Sequence, residues 1–432
     1  MRFPFFYGWV IVGVAFISTG IGVNARTAFS LLFPPILKEF GWDRAVIAGA
    51  FSFGFVVSAG LSPTLGWLMD RHGPRAVMGL GVAMMSSGLM LASQISAPWH
   101  LYLTLGVLVG GGSVCLGYTG QSLFLPNWFV RRRGLAVSLA FAGVGIGSIV
   151  LLPWMQFFMD RSDWRSACWT LGLLLAVVLA PLTLLLRRRP EDMGLRPDGD
   201  AQPLPGAARP ASNIVDPAWA AIDWTLARAL RTARFWWIAL AFFSGGFAWY
   251  AVQVHQTKYL IEIGFGTADA AWALGAVALV AVPGQIVLGH LSDRIGREWS
   301  WTIGCLGFVL CYLLLIALAR WPSGLLLAAM VLVQGFLGYG LTSVMGAIVL
   351  EIFQGRRYAT IFGTVMIGLM AGSALGPWLA GALHDRSGSY VTAFWLAVGL
   401  SLVSIAAIWL AAPRKVRMVA GRVERLARVS TG

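Results

Sequence analysis

Apolar stretches long enough to cross a bilayer recur almost end to end along this chain, separated by short polar turns. A membrane-spanning helix needs about 20 apolar residues. Hydropathy predicts twelve such spans, near residues 7–33, 43–69, 75–95, 98–127, 134–158, 164–186, 235–262, 268–291, 299–319, 322–352, 358–383 and 389–411. Barrel strands would need segments of about 10 residues alternating in polarity, and no such alternation runs through the chain. The one long polar stretch, 187–233, opens on Arg187-Arg188-Arg189-Pro190 and passes through a Pro/Gly/Asp-rich segment to Pro210 and then Asp216-Pro217. It reads as a flexible cytoplasmic linker. Its last part, 223–234, starts at the capping residue Asp223 and alternates apolar and basic faces, which predicts an amphipathic helix on the membrane surface.

The two groups of spans resemble each other. Gly66 to Gly73 and Gly289 to Gly296 share the phrase Gly-x-Leu-x-Asp-Arg-x-Gly, 223 residues apart, and each is followed by another arginine, Arg75 or Arg297. Further landmarks keep nearly the same offset: Arg132-Arg133 with Arg356-Arg357, Asp160-Arg161 with Asp385-Arg386, and Ala167-x-Trp169 with Ala393-x-Trp395. The predicted fold is an all-α polytopic membrane protein, with twelve transmembrane helices in two pseudo-symmetric six-helix bundles. The first bundle covers 1–186, the linker with its amphipathic segment 187–233, the second bundle 234–412 and a basic cytoplasmic tail 413–432. Parallel repeats of this kind place a substrate near the bilayer midplane between two halves that rock.

Composition agrees: 58% of the residues are hydrophobic and 12% charged, too few charges to cover a soluble domain of this length. The net charge of +14 would suggest nucleic acid, but its placement argues otherwise. With loops assigned alternately, twenty-four of the 32 Lys and Arg residues fall on one side and six on the other. The positive-inside rule then puts both termini in the cytoplasm of a plasma membrane, by expectation a bacterial inner membrane. The surplus charge faces an anionic inner leaflet. The run from Phe3 has no small-x-small cleavage site before Asn24, so it reads as an uncleaved first helix. Cys115, Cys168, Cys305 and Cys311 lie in apolar runs without metal-like spacing and read as packing residues. The glycines of the fourth and eleventh spans let helices approach closely, for packing or for sliding.

The motifs resemble the major facilitator superfamily over essentially the whole chain, the duplicated Gly-x-Leu-x-Asp-Arg-x-Gly loop most specifically. Within it the chain is similar to the monocarboxylate-transporter and oxalate/formate-type branch. That similarity is carried by Tyr7-Gly8-Trp9, by Phe33-Pro34-Pro35 with Glu39-Phe40-Gly41-Trp42 after the first span, and by Trp128-Phe129-x-Arg131-Arg132-Arg133-Gly134-Leu135-Ala136. The stretch from Gly376-Pro377 to Asp385-x-x-Gly388-Ser389-Tyr390 adds to it. The resemblance implies a transporter rather than an enzyme, without a cofactor. Carboxylate transporters of this type commonly carry an acid and an arginine in span 8, yet Trp272 to Gly289 holds no charge. Gly143-Val-Gly145-Ile-Gly147-Ser also lacks the Gly-Pro signature of drug/proton antiporters until Pro153.

An ionised side chain at membrane depth costs at least about 2.5–3.5 kcal/mol, so it points to function. Arg26, flanked by Asn24 and Thr27, has no acid between Phe3 and Lys38 and offers a fork for a carboxylate; the alternative is that it snorkels to the outer surface. In span 7, Gln253, His255 and Lys258 are candidates. His255 has the intrinsic pKa for a coupled proton, and the alternative is a hydrogen-bonded histidine in a wet vestibule. Lys258 lies near the outer end, where snorkelling explains it. Tyr118 and Gln121 in span 4, and Tyr339 and Thr342 in span 10, either bind substrate or join helices. Asp70, Arg71, Asp293 and Arg294 in the duplicated loops are expected to gate by locking helix ends and releasing them.

The expectation is a secondary carrier of a small organic anion, a monocarboxylate, working by alternating access with proton symport. The alternatives are an efflux antiporter of amphipathic compounds and a non-transporting receptor of the same fold. No His-Glu-x-x-His, Gly-x-Ser-x-Gly or clustered metal set supports a membrane enzyme.

Overall fold

The computed structural model describes residues 6–42, 44–199 and 213–423. Positions 1–5, 43, 200–212 of the linker and 424–432 of the basic tail lie outside them. Among the described residues eleven helices are long and apolar enough to cross a membrane. Eleven helices hold twelve spans, because Arg44–Ala92 is 49 residues long. At 1.5 Å per residue it would reach about 74 Å, twice a bilayer core. It breaks at Gly73 (φ 76°, ψ 180°) into spans 2 and 3. The matching glycine of the second loop, Gly296, has φ 114° and ends span 8. Side chains rarely tolerate such backbone angles, which explains why the motif closes on glycine in both copies.

The remaining spans are Gly8–Phe40, Pro98–Asn127, Arg133–Arg161 and Trp164–Leu185, then Ala233–Glu262, Trp272–Ile295, Arg297–Arg320, Gly324–Ile352, Tyr358–Ser387 and Val391–Lys415. Span 1 runs past its predicted end. It bends at Ala28 and continues as a second helix, Phe29–Phe40, through Pro34-Pro35 and Glu39. Glu39 accepts hydrogen bonds from Trp164 (2.7 Å) and Arg165 (2.5 Å), fixing that end. The predicted amphipathic segment forms one short helix, Leu226–Leu230, capped by the Thr225 hydroxyl rather than by Asp223. Asp163 caps span 6 by accepting the Ser166 N–H at 2.6 Å, which holds its carboxyl below the usual range. That stabilisation is present above the unfolded pKa and is lost as pH falls through the lower folded one.

The chain divides into two compact units, one of Met1–Phe129 with Leu139–Ala201, the other of Val130–Ser138 with Gln202–Gly432. In the first, Thr19 donates to the Ala140 carbonyl (2.7 Å), Tyr7 to Leu185 (2.8 Å) and Arg75 to Leu186 (2.9 Å). In the second, Tyr312 donates to Ala248 (2.5 Å), Tyr259 to Leu315 (2.9 Å), and Trp301 to Ser404, which donates on to Ala241. These bonds tie spans 7, 9 and 12 together where no water competes. The polypeptide after span 12 folds back in the same unit: the Arg414 N–H donates to Glu298 (2.8 Å) and Met418 to the Asn213 carbonyl (2.8 Å). The four cysteines are buried.

Spans 7 and 11 touch backbone to backbone. A Cβ on Gly372 would run into the carbonyl oxygen of Phe243, and one on Gly376 would lie 2.6 Å from that of Phe247. Gly399 of span 12 has nothing within 4 Å. Gly372→Val is therefore expected to destabilise the protein by about 1–3 kcal/mol or more, while Gly399→Val leaves the melting temperature in nanodiscs unchanged. Equal melting of the two variants would show that spans 7 and 11 separate freely.

Candidate functional site

Arg26 lies two residues before span 1 bends at Ala28, half-buried, and Nη1 donates to Ser113 Oγ of span 4 at 3.3 Å. Its guanidinium covers the Phe55 ring at 3.7 Å from the centroid, with Phe51 at 5.5 Å. A cation on an aromatic face gains about 0.5–2 kcal/mol, the more so where water is excluded. Beside it opens an apolar cleft lined by Ala25, Phe29, Leu32, Phe51, Gly54 and Leu105. Spans 1, 2 and 4 thus hold one positive charge in apolar surroundings, with its planar fork oriented by ring contacts.

The other candidates of the first unit have different surroundings. Asn24 is buried, and its amide joins helices: Nδ2 donates to Gly20 (2.7 Å) and Val144 (2.8 Å), and Oδ1 accepts from Ser148 (2.7 Å). Tyr118 packs edge-on against Phe141 at 4.9 Å. Gln121 is buried, donates to Leu116 (3.3 Å) and Met78, and leaves Oε1 with no protein partner. Such an oxygen costs about 1–3 kcal/mol unless something satisfies it.

Span 4 is not one regular helix. It carries a π-helical stretch, Tyr102–Val109, and breaks at Gly117 (ψ −160°) just before Tyr118. Span 10 repeats the device, with a π-helical turn Val333–Leu337 and a 3-10 turn Gly338–Leu341 that contains Tyr339. The shared triplets Leu116-Gly117-Tyr118 and Leu337-Gly338-Tyr339 carry both breaks, a signal open to a repeat search but invisible to hydropathy. Irregular turns of this kind gather at functional positions. Tyr339 sits edge-on to Trp249 at 5.0 Å, and Thr342 donates to the Tyr339 carbonyl (2.9 Å).

In the second unit Gln253 leaves Oε1 with no protein partner. Lys258 is exposed and lies 3.6 Å from Glu262. His255 is held at both nitrogens: Nδ1 is 3.1 Å from Tyr390 Oη and Nε2 is 2.8 Å from the Pro377 carbonyl. The carbonyl can only accept, so Nε2 carries a proton and a neutral His255 accepts the tyrosine hydroxyl at Nδ1.

The duplicated loops differ. Asp70 lies 3.7 Å from Arg188 at partial exposure, and the exposed Arg71 rests 5.3 Å over Trp67. Asp293 is buried and accepts the N–H groups of Gly134 (2.9 Å) and Leu135 (3.1 Å) as well as Arg297 Nη1 (2.8 Å). Arg297 Nε also donates to Glu351 Oε1 at 2.9 Å, and Arg133 lies 3.7 Å from the same oxygen. Arg294, the motif's own arginine, is exposed. The buried partner is thus Arg297, and Glu351 and Arg133 complete a neutral quartet that sequence spacing did not single out. The signal was the isolation of Glu351 as the one acid at the end of span 10. Among the described residues no group of three or more His, Cys, Asp or Glu could hold a metal ion.

The Major Facilitator Superfamily profile matches residues 14–345 and 262–429. Monocarboxylate transporter 13 of Bos taurus is 27% identical over 400 residues, covering 90% of this chain and 86% of its own. Monocarboxylate transporter 11 of Homo sapiens is 27% identical over 424 residues, covering 94% and 83%. Among solved structures, the human organic anion transporter MFSD10 superposes with a TM-score of 0.67 at 16% identity, covering 94% of this chain and 100% of its own. The E. coli fucose:proton symporter FucP gives 0.64 at 17% identity, covering 94% and 98%. The chain belongs to the Major Facilitator Superfamily: it is an integral membrane transporter, not an enzyme.

Proposed function

We propose that this transporter is a secondary carrier of a small organic anion, a monocarboxylate, moving it by alternating access together with a proton. The observation that carries this reading is Arg26, a permanent charge seated on Phe55 beside an apolar cleft. A guanidinium so placed suits a carboxylate head. The relatives named as monocarboxylate transporters support the substrate class. His255 is the candidate for the coupled proton, while Tyr118, Gln121, Gln253, Tyr339 and Thr342 are candidates for polar contacts to the substrate. The environment of Asn24 favours a helix-joining role, and the exposure of Lys258 favours a rim position. Asp293 and Asp70, each at a helix end with arginine nearby, fit gating, with Arg71 and Arg294 on the exposed side of those turns. The charge distribution supports a plasma membrane with both termini cytoplasmic.

The test is uptake into proteoliposomes of a panel of labelled short aliphatic, aromatic and dicarboxylic acids, with and without an inward proton gradient. Gradient-driven uptake of monocarboxylates over dicarboxylates is expected. Transport of none of these acids, or indifference to the gradient, would refute the reading.

A further inference from the structure

His255 belongs to a larger cluster. Tyr390, almost wholly buried, carries the His255 ring on one side (centroids 5.1 Å) and stacks on His384 on the other (4.1 Å, 28° between planes). His384 Nε2 lies 3.4 Å from Glu262 and Nδ1 lies 3.7 Å from Asp385. Spans 7 and 11 and the turn into span 12 therefore bring two imidazoles, one phenol and two carboxylates together. Tyr259 meets the edge of Tyr390 at 5.8 Å, and Lys258, on the same helix as His255, pairs with Glu262. Burial, then the charges of Glu262 and Asp385, push the Tyr390 hydroxyl up, so it stays a phenol able to donate.

We propose that His255, Tyr390 and His384, with Glu262 and Asp385, form a proton-binding site in which His255 takes up an exchangeable proton and His384, across the Tyr390 ring, is coupled to it through its charge. The hydrogen bonds accommodate either charge state of His255. When neutral, it donates from Nε2 to Pro377 and accepts the Tyr390 hydroxyl at Nδ1. A proton taken from water onto Nδ1 reverses that bond: Nδ1 donates to Tyr390 Oη, whose hydrogen turns away. The Nε2 bond survives, so binding the proton sacrifices neither contact to the helix partners. On the other side of the ring, His384 lies within 4 Å of the Glu262 carboxylate and of the largely exposed Asp385 carboxylate. Two imidazolium ions on one tyrosine repel, so the first proton weakens binding of the second. The site's role in transport rests on the proton-coupled reading above; its existence does not.

The experiment uses the full chain in nanodiscs with isotope-labelled histidine, whose five signals are assigned by single His→Gln variants. In the wild type, His255 and His384 are expected to titrate as a coupled pair. In His384→Gln the His255 midpoint should move by about half a pH unit or more, and Tyr390→Phe should shift it too, while His72→Gln should leave it in place. A His255 curve identical in the wild type and in His384→Gln would overturn the proposal. In proteoliposomes, with acids from the panel that the wild type carries, His255→Gln and His384→Gln should each lower gradient-driven uptake about tenfold while sparing acid-for-acid exchange. Full gradient-driven uptake in both variants would overturn the site's place in transport. Should the wild type move none of the acids, the carrier reading fails and the titration still decides the site.

Discussion

Glu351→Gln is expected to destabilise the second unit by about 3–5 kcal/mol, the cost of leaving a buried charge without its partner. The quartet is neutral as it stands, with Arg133 and Arg297 against Asp293 and Glu351, and Arg297 and Glu351 have side chains only 2% and 4% exposed. Asp293 is already engaged by the Gly134 and Leu135 amides and by Arg297, so it has little left for Arg133. Without the Glu351 carboxylate, a net positive charge stays out of water. The Arg417 contact to the Glu351 backbone carbonyl (2.8 Å) survives the change and isolates the side-chain effect. The double variant Arg133→Gln/Glu351→Gln restores neutrality and should recover much of the loss. Thermal unfolding in nanodiscs of the two single variants and the double one measures the coupling. If Glu351→Gln melts with the wild type, the quartet holds nothing together. If the double variant is no better than the single, charge balance is not the reason for its arrangement.

The spans were legible because apolar length is a local property. A helix must satisfy its own backbone in lipid, so the run of apolar residues marks it whatever lies beside it. The duplicated loops were legible for a related reason, since Gly73 and Gly296 occupy backbone angles that few other residues accept. Partners were not legible. Asp293 sits next to Arg294 in sequence, but the chain turns at Gly296 and the next helix begins with Arg297, its ion-pair partner, while only tertiary packing brings Glu351 and Arg133 beside that pair. The same holds for His255, whose partners lie 122 and 135 residues away. Asn24 and Arg26 look equivalent in sequence as polar residues within one span. A two-residue step turns a helix by about 200°, so one faces span 5 and the other spans 2 and 4. Span 1 outlasts its hydropathy because Glu39 is held by Trp164 and Arg165, contacts that no apolar count contains. The π-helical stretches of spans 4 and 10 leave composition unchanged, and only the repeated Leu-Gly-Tyr marks them.

Arg26→Gln is expected to abolish monocarboxylate uptake while the protein still folds and inserts. Removing one partner of a desolvated charge pair costs about 2–5 kcal/mol, so uptake below saturation should fall about thirtyfold or more. Folding should survive because span 1 is anchored elsewhere, by Thr19 and Asn24 on span 5. Arg26→Lys keeps the charge and loses the planar fork. Its uptake should lie between the two, with the loss showing as weaker apparent affinity rather than a lower maximal rate. Phe55→Leu separates orientation from charge: it leaves the guanidinium in place but removes the ring beneath it, and should weaken affinity less than Arg26→Gln does. Initial uptake rates in proteoliposomes, normalised to inserted protein, give all three values. Unchanged uptake by Arg26→Gln would remove Arg26 from the site and with it the argument for an anion. Equal loss in Arg26→Lys and Arg26→Gln would instead assign the recognition to the shape of the guanidinium, since a bare positive charge at the same place would then have been tested and found insufficient.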